Sequence, residues 1–307
     1  MYEQFSAFAD QLTLAFLDRT IAAGAGFAAQ YMRGALMIVV ALAAVLLWTR
    51  KLDAWWVARR VLIAMVVIGL LQVGTYNSYI REPFWTTIPN AIAGSFTGGA
   101  VNISVAQRFD KVSDAAAHVV AAADAQATGF LNFRPAFAIA FADGLMHLFI
   151  GICFAMSLIA RQATALLISV GPYLLIAAIF DSTRHWVVGW FGKLLALMVW
   201  TLFIAALSEM MLAGSIAYIQ RMAAFAAGLS ERVDGLWKLV VWFLINAAVM
   251  IGLPYYSSFG AGAAGGGVQA GFAGALGIGA AAGGRVAGAL NRASGALNRA
   301  AGRQRRT

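Results

Sequence analysis

Asp143 and His147 stand four residues apart inside the apolar run from Ala136 to Ala160, so on a helix they share one face. Ionisable groups inside a bilayer are costly and usually face a cavity or a partner. An acid and an imidazole at this spacing could relay a proton or give a conduit a polar lining. The same spacing also lets them pair with each other or with a neighbouring helix. Other chemistry is scarce. The three histidines, His118, His147 and His185, lie far apart, and no pair has zinc-ligand spacing. Gly260 to Gly265 reads G-x-G-x-x-G, but a dinucleotide loop needs a strand before it and a packed helix after it, and here the pattern is Gly/Ala bias. No G-x-x-x-x-G-K-[ST] phosphate loop exists, and the residues around Lys193 have neither the spacing nor the hydroxyl. No Ser/His/Asp or Cys/His arrangement stands out. The expectation is a protein that is not an enzyme, holds no cofactor or metal, and draws energy from partner ATPases. Cys153, the one cysteine, excludes an internal disulfide framework and reads as packing.

The elements that position these residues are membrane helices. Of 307 residues, 62% are hydrophobic and 11% charged, and mean hydropathy is +0.78, far from the balance of a soluble domain. A crossing of about 30 Å needs roughly 20 helical residues. Six segments compete for spans: 34–49, 61–79, 136–160, 163–180, 194–217 and 239–255. The fold class is therefore all-α and polytopic. Residues 1–33 carry Phe5, Phe8, Leu12 and Phe16 at helical spacing and read as a retained, amphipathic, extracytoplasmic segment.

Residues 34–80 form the first two spans. Their link holds Arg50, Lys51, Arg59 and Arg60 against Asp53 and is expected to be cytoplasmic, which puts the N-terminus in the periplasm. Trp48, Trp55 and Trp56 suit the headgroup zone. Residues 81–135 are charge-balanced and read as a helical periplasmic domain. Within it Val105, Phe109, Val112, Ala116, Val119 and Ala123 form one apolar stripe, which could pack copies of the chain in a ring or dock on its own loop.

Residues 136–255 form the remaining transmembrane bundle, and 256–307 a tail that is first Gly/Ala-rich and then arginine-rich. Arg285, Arg292, Arg299 and Arg306 recur every seven residues and would share a helix face. The tail could touch anionic lipid, a partner protein or DNA. Six crossings from an outside N-terminus would leave this basic tail outside, against the positive-inside rule. Either one middle segment does not cross, giving five spans, or the Gly/Ala stretch crosses as a seventh; five, with a cytoplasmic C-terminus, is preferred.

The segment singled out as not crossing is Gly171 to Trp190, "GPYLLIAAIFDSTRHWVVGW". Pro172 lacks a donor, so a helix through it should kink or begin there. Lipid tolerates that only when protein or water covers the freed groups. Asp181 or Ser182 reads as the cap of the next helix and Arg184 as a snorkelling cation, with Trp186 and Trp190 fixing depth.

Gly171-Pro172, an apolar run ending in Phe180, Thr183-Arg184, Trp190 and another long apolar helix together resemble the signature of the TrbL/VirB-type polytopic inner-membrane subunit of bacterial type IV secretion systems. Overall size, a periplasmic central region and a variable tail agree. Asp181-Ser182 departs from the family pattern, which often has an apolar residue or proline there. The resemblance implies a core subunit at the base of the stalk that oligomerises, supports pilus assembly and contacts passing DNA or protein. Pilus subunits follow as expected partners, beside the secretion ATPases that the missing phosphate loop calls for and the membrane lipid that the basic tail could touch. The alternative is a small-solute transporter with a midplane site at Asp143 and His147, although only one helix interruption is found where transporters commonly show a matched pair.

Overall fold

A computed structural model describes residues 1–48, 54–96, 104–127, 133–225 and 228–257; the repeated arginines Arg285, Arg292, Arg299 and Arg306 lie outside them. Among the described residues every regular element is helical, as spans that must satisfy their own backbone hydrogen bonds require. The long elements are α1 (Tyr2–Trp48), α2 (Ala54–Leu71), α6 (Phe133–Leu175), α7 (Arg184–Phe225) and α8 (Leu229–Ser257). Between them lie the short α3 (Val73–Tyr76), two π-helical segments (Asn77–Arg81 and Pro83–Thr87), α4 (Ile88–Phe96) and α5 (Val105–Asp124).

Among the described residues four helices are long and apolar enough to cross a membrane, and five if α2 and the stretch bent from it by 85° are one span. Two expected boundaries disappear. The division between an N-terminal segment and the first span falls inside α1, a single helix of 47 residues. No proline interrupts it, and isolated glycines such as Gly24 and Gly34 weaken a helix by only about 1 kcal/mol each. Segments 136–160 and 163–180 likewise join in α6, because Arg161 and Gln162 are good helix formers and do not end it. The stretch after 163 is thus the far end of the third long helix.

The packing divides into two apolar clusters. One gathers α5, the first part of α6, α7 from Leu197 onward, and α8 around Phe109, Met146, Ile150, Trp200 and Phe243. The other gathers α1, α2, the π segments and the opposite halves of α6 and α7 around Leu17, Tyr76, Ile168 and Leu194. α1 runs alongside α6, its Tyr2 ring 4.7 Å from Phe154 and its Phe27 ring 5.3 Å from Tyr173. Between the clusters the two helices are stitched by polar groups: Asp10 Oδ1 to Arg161 Nε at 2.8 Å, and Thr13 to Gln162 at 2.7 Å.

α5 is not a separate domain. Ser104 and Gln107 form a reciprocal capping box at its start. Its stripe then sinks into the first cluster, with Phe109, Val112 and Ala116 buried and Val105 and Val119 partly so. The face read as packing between copies or on its own loop lies instead against α6, α7 and α8 of the same chain. Asp110, on the same helix, caps the start of α1 by accepting from the Tyr2 and Glu3 amides at 2.9 and 2.8 Å. Burial raises the Asp110 pKa, but these bonds and the Met1 ammonium outweigh it and hold the carboxyl below its ordinary value.

Candidate functional site

The interruption at Gly171-Pro172 is resolved by two side chains from elsewhere. The α-helix does not end or begin at Pro172 but runs through it to Leu175 and tightens into a 3-10 turn over Ile176–Ile179. A helical proline at 172 removes the amide that would reach the carbonyl of Ile168, four residues back. The hydroxyl of Tyr76 donates to that carbonyl. One turn position earlier, the indole Nε1 of Trp190 donates to Leu167 O at 2.8 Å. Both rings are buried, so the exposed backbone never meets lipid.

Gly171 makes this possible. A Cβ there would lie 2.0 Å from the Tyr76 hydroxyl and 2.6 Å from the Trp190 ring. Gly24 of α1 plays the matching part on the other side, where a Cβ would come within 2.9 Å of the Tyr173 ring and 3.2 Å of Pro172. The π-helical widening after α3 brings Tyr76, Ile80, Phe84 and Trp85 onto the buried side. Such segments are rare and recur at functional sites.

The loop after the 3-10 turn corrects two expectations. Neither Asp181 nor Ser182 caps α7; the residue before the helix is Thr183, whose hydroxyl reaches back to Ala177 O at 2.8 Å. Phe180 is the extended residue that ends the turn, and its carbonyl accepts from the Arg184 amide at 3.0 Å. Trp186 is exposed as a membrane-depth marker would be, whereas Trp190 is buried against α6 and belongs to the break. Asp181 instead binds Arg60, which also donates to Ile179 O, so the start of α2 is tied to the α6–α7 corner. This pairing gives a physical reason for an acid where the family pattern is often apolar.

Two stability tests follow from these contacts. In Tyr76→Phe the buried Ile168 carbonyl loses its donor, at a cost of about 2 kcal/mol. Adding Pro172→Ala returns a main-chain donor to the same carbonyl, so the penalty for losing the hydroxyl should shrink to a few tenths of a kcal/mol in a double-mutant cycle read by denaturation in detergent. Asp181→Lys places a cation beside Arg60 and should lower stability by about 1 kcal/mol, the modest size reflecting its exposure. Arg60→Glu introduced beside it should recover most of that loss.

The Asp143–His147 pair is bonded to itself: His147 Nδ1 lies 3.1 Å from Asp143 Oδ1 and 3.0 Å from its carbonyl. Both side chains are about one-third exposed on the outer side of α6. Neither residue lines the cavity between α4 and α6 or the groove along α1, and among the described residues no group of three or more His, Cys, Asp or Glu could hold a metal. The charge that the interior does hold was not foreseen. Arg108, fully buried on the α5 stripe, donates to Ala93 O at 2.8 Å and Ala205 O at 2.9 Å and pairs with Glu209 at 3.3 Å. Burial pulls its guanidinium pKa down and Glu209 pushes it back up.

A sequence model described as TrbL/VirB6 plasmid conjugal transfer protein matches residues 35–257, nearly three-quarters of the chain and all of the corner just described. The chain belongs to the TrbL/VirB6 family. It is similar to Protein VirB6 of Rhizobium radiobacter, 22% identical over 201 residues that cover 64% of this chain and 68% of the relative. Protein VirB6 of Agrobacterium tumefaciens strain 15955 and of Agrobacterium fabrum strain C58 are 23% and 24% identical over the same coverage. Membership in the TrbL/VirB6 family makes this a type IV secretion subunit and a multi-pass inner-membrane protein, from a family of structural components rather than enzymes.

Proposed function

We propose that the chain is the inner-membrane base of a conjugation-type secretion machine, working as a homo-oligomer that supports pilus assembly and the passage of DNA or protein. The supporting observation is height. α6 exposes large apolar side chains from Phe137 to Tyr173. At 1.5 Å per residue that stretch is about 54 Å long, and even a 40° tilt leaves it about 41 Å tall against roughly 30 Å of hydrocarbon. The surplus apolar surface needs protein to cover it, as in a subunit of a larger assembly. Against the transporter reading weighs the pairing of Asp143 and His147 with each other on a partly exposed face of α6.

Orientation follows from charge. The basic link around Arg50, Lys51, Arg59 and Arg60 belongs in the cytoplasm, so with five crossings the N-terminus is periplasmic and the C-terminus cytoplasmic. There Arg285, Arg292, Arg299 and Arg306 meet lipid, a partner or the transferred DNA. The decisive experiment is gentle extraction from its own host membrane followed by sizing and identification of what co-purifies. Several copies together with pilus subunits and secretion ATPases are expected; a solitary chain binding a small solute would sink the proposal.

A further inference from the structure

A cavity of about 110 Å³ lies in the polar layer between the two apolar clusters, enclosed by α1, the second π segment, α4, α5, α6 and α7. Its walls are largely apolar, with Phe84, Trp85 and Phe154 supplying aromatic faces, and Arg161 is the charged side chain on them. That guanidinium is held twice. Its Nε pairs with Asp10 at 2.8 Å, and its central carbon sits 4.8 Å from the centre of the Trp85 ring. These contacts fix the plane of the group while both terminal NH2 groups find no protein acceptor among the described residues. Around it, the hydroxyls of Ser157, Thr164 and Thr201 each donate to a carbonyl of their own helix, leaving oxygen lone pairs as acceptors.

We infer that this cavity binds a glycerol-phosphate headgroup, the polar end of an anionic phospholipid. Phosphate oxygens match a planar fork of N–H donors, and glycerol hydroxyls supply the donors that the Ser and Thr oxygens lack. An apolar groove beside Gln162, formed along α1 by Phe5, Phe8, Leu12 and Phe16, offers a place for an acyl chain. The amphipathic stripe of residues 1–33 thus contributes to a lipid site. Asp10 balances the charge of Arg161, so the hold comes from directed hydrogen bonds and depends weakly on salt.

The test uses the full chain in nanodiscs containing either phosphatidylglycerol or phosphatidylcholine, with bound lipid counted by native mass spectrometry. About one phosphatidylglycerol per chain is expected, and Arg161→Gln should weaken its binding about tenfold, the equivalent of one charge-assisted hydrogen bond. Ser157→Phe fills the cavity while leaving Arg161 paired to Asp10, and it should do the same, so a folding defect in either variant does not decide the matter. Free glycerol 3-phosphate tests the source: displacement of the lipid marks the headgroup alone as sufficient, and no displacement marks the acyl groove as part of the site. Equal retention of the two lipids, or unchanged binding in both variants, overturns the inference.

Discussion

Arg108→Met lowers the stability of the bundle by about 3 kcal/mol, the range found when one partner of a buried ion pair is removed. The side chain is completely enclosed, and its donors reach three acceptors on two elements: Ala93 on α4, and Ala205 and Glu209 on α7. Methionine fills much of the volume, so the loss reports on polar groups left without partners rather than on a void. Two companion variants separate the causes. Arg108→Lys keeps the charge but cannot span three acceptors, and it should fall between wild type and Arg108→Met. Arg108→Met with Glu209→Met removes both charges and should regain most of the loss. Thermal and denaturant unfolding in detergent would measure all three, and equal stability of Arg108→Met and wild type would refute the role assigned to the pair.

Gly171→Val should be at least as damaging, at about 3 kcal/mol or more. Valine would gain something for the helix, since glycine is disfavoured there by about 1 kcal/mol. Overpacking works against this gain by about 1–3 kcal/mol. Two donors are also pushed off the Ile168 and Leu167 carbonyls, each bond worth about 1 kcal/mol or more in an apolar setting. Sterics decide the sign, because the first atom of the new side chain already overlaps the Tyr76 hydroxyl and the Trp190 ring. Secretion should fail together with folding, which pulse-labelled protein levels would show. Tyr76→Phe in the Gly171→Val chain should cost less than in the wild type, since its hydrogen bond is already gone.

How much of this was legible in the residues depends on range. Helical identity, the polytopic class and the need to shelter Pro172 follow from local composition and main-chain chemistry. The identity of the shelterer does not. Pro172 announces that the Ile168 carbonyl lacks its donor, but any buried Tyr, Trp, Ser or Thr could answer, and Tyr76 lies 92 residues away in sequence. Trp190 was visible as part of the motif yet misread as a depth marker, because an indole serves membrane interface and buried donor equally well. Arg108 hid for a different reason. Its stripe was recognised from the apolar positions, and a charge next to Phe109 looks solvent-facing until α4 and α7 are placed around it. The oligomer stripe shows the same limit, since periodicity identifies a face that must be covered but not what covers it.

The unbroken run of α1 makes it a shaft keyed to its neighbours at several heights, by Asp110 at its start, Arg161 and Gln162 further along, and Tyr173 beyond them. One residue inserted between Thr13 and Gly24 would rotate everything beyond it by about 100° and advance it by about 1.5 Å. With the register anchored at the start by Asp110, Arg161 and Gln162, Ala23 would then occupy the notch meant for a bare glycine and present a methyl group to Tyr173. Torsion applied where the rod begins is thereby felt at the proline corner, and the stretch of α1 between its two anchor points tolerates a change of side chain far better than a change of length.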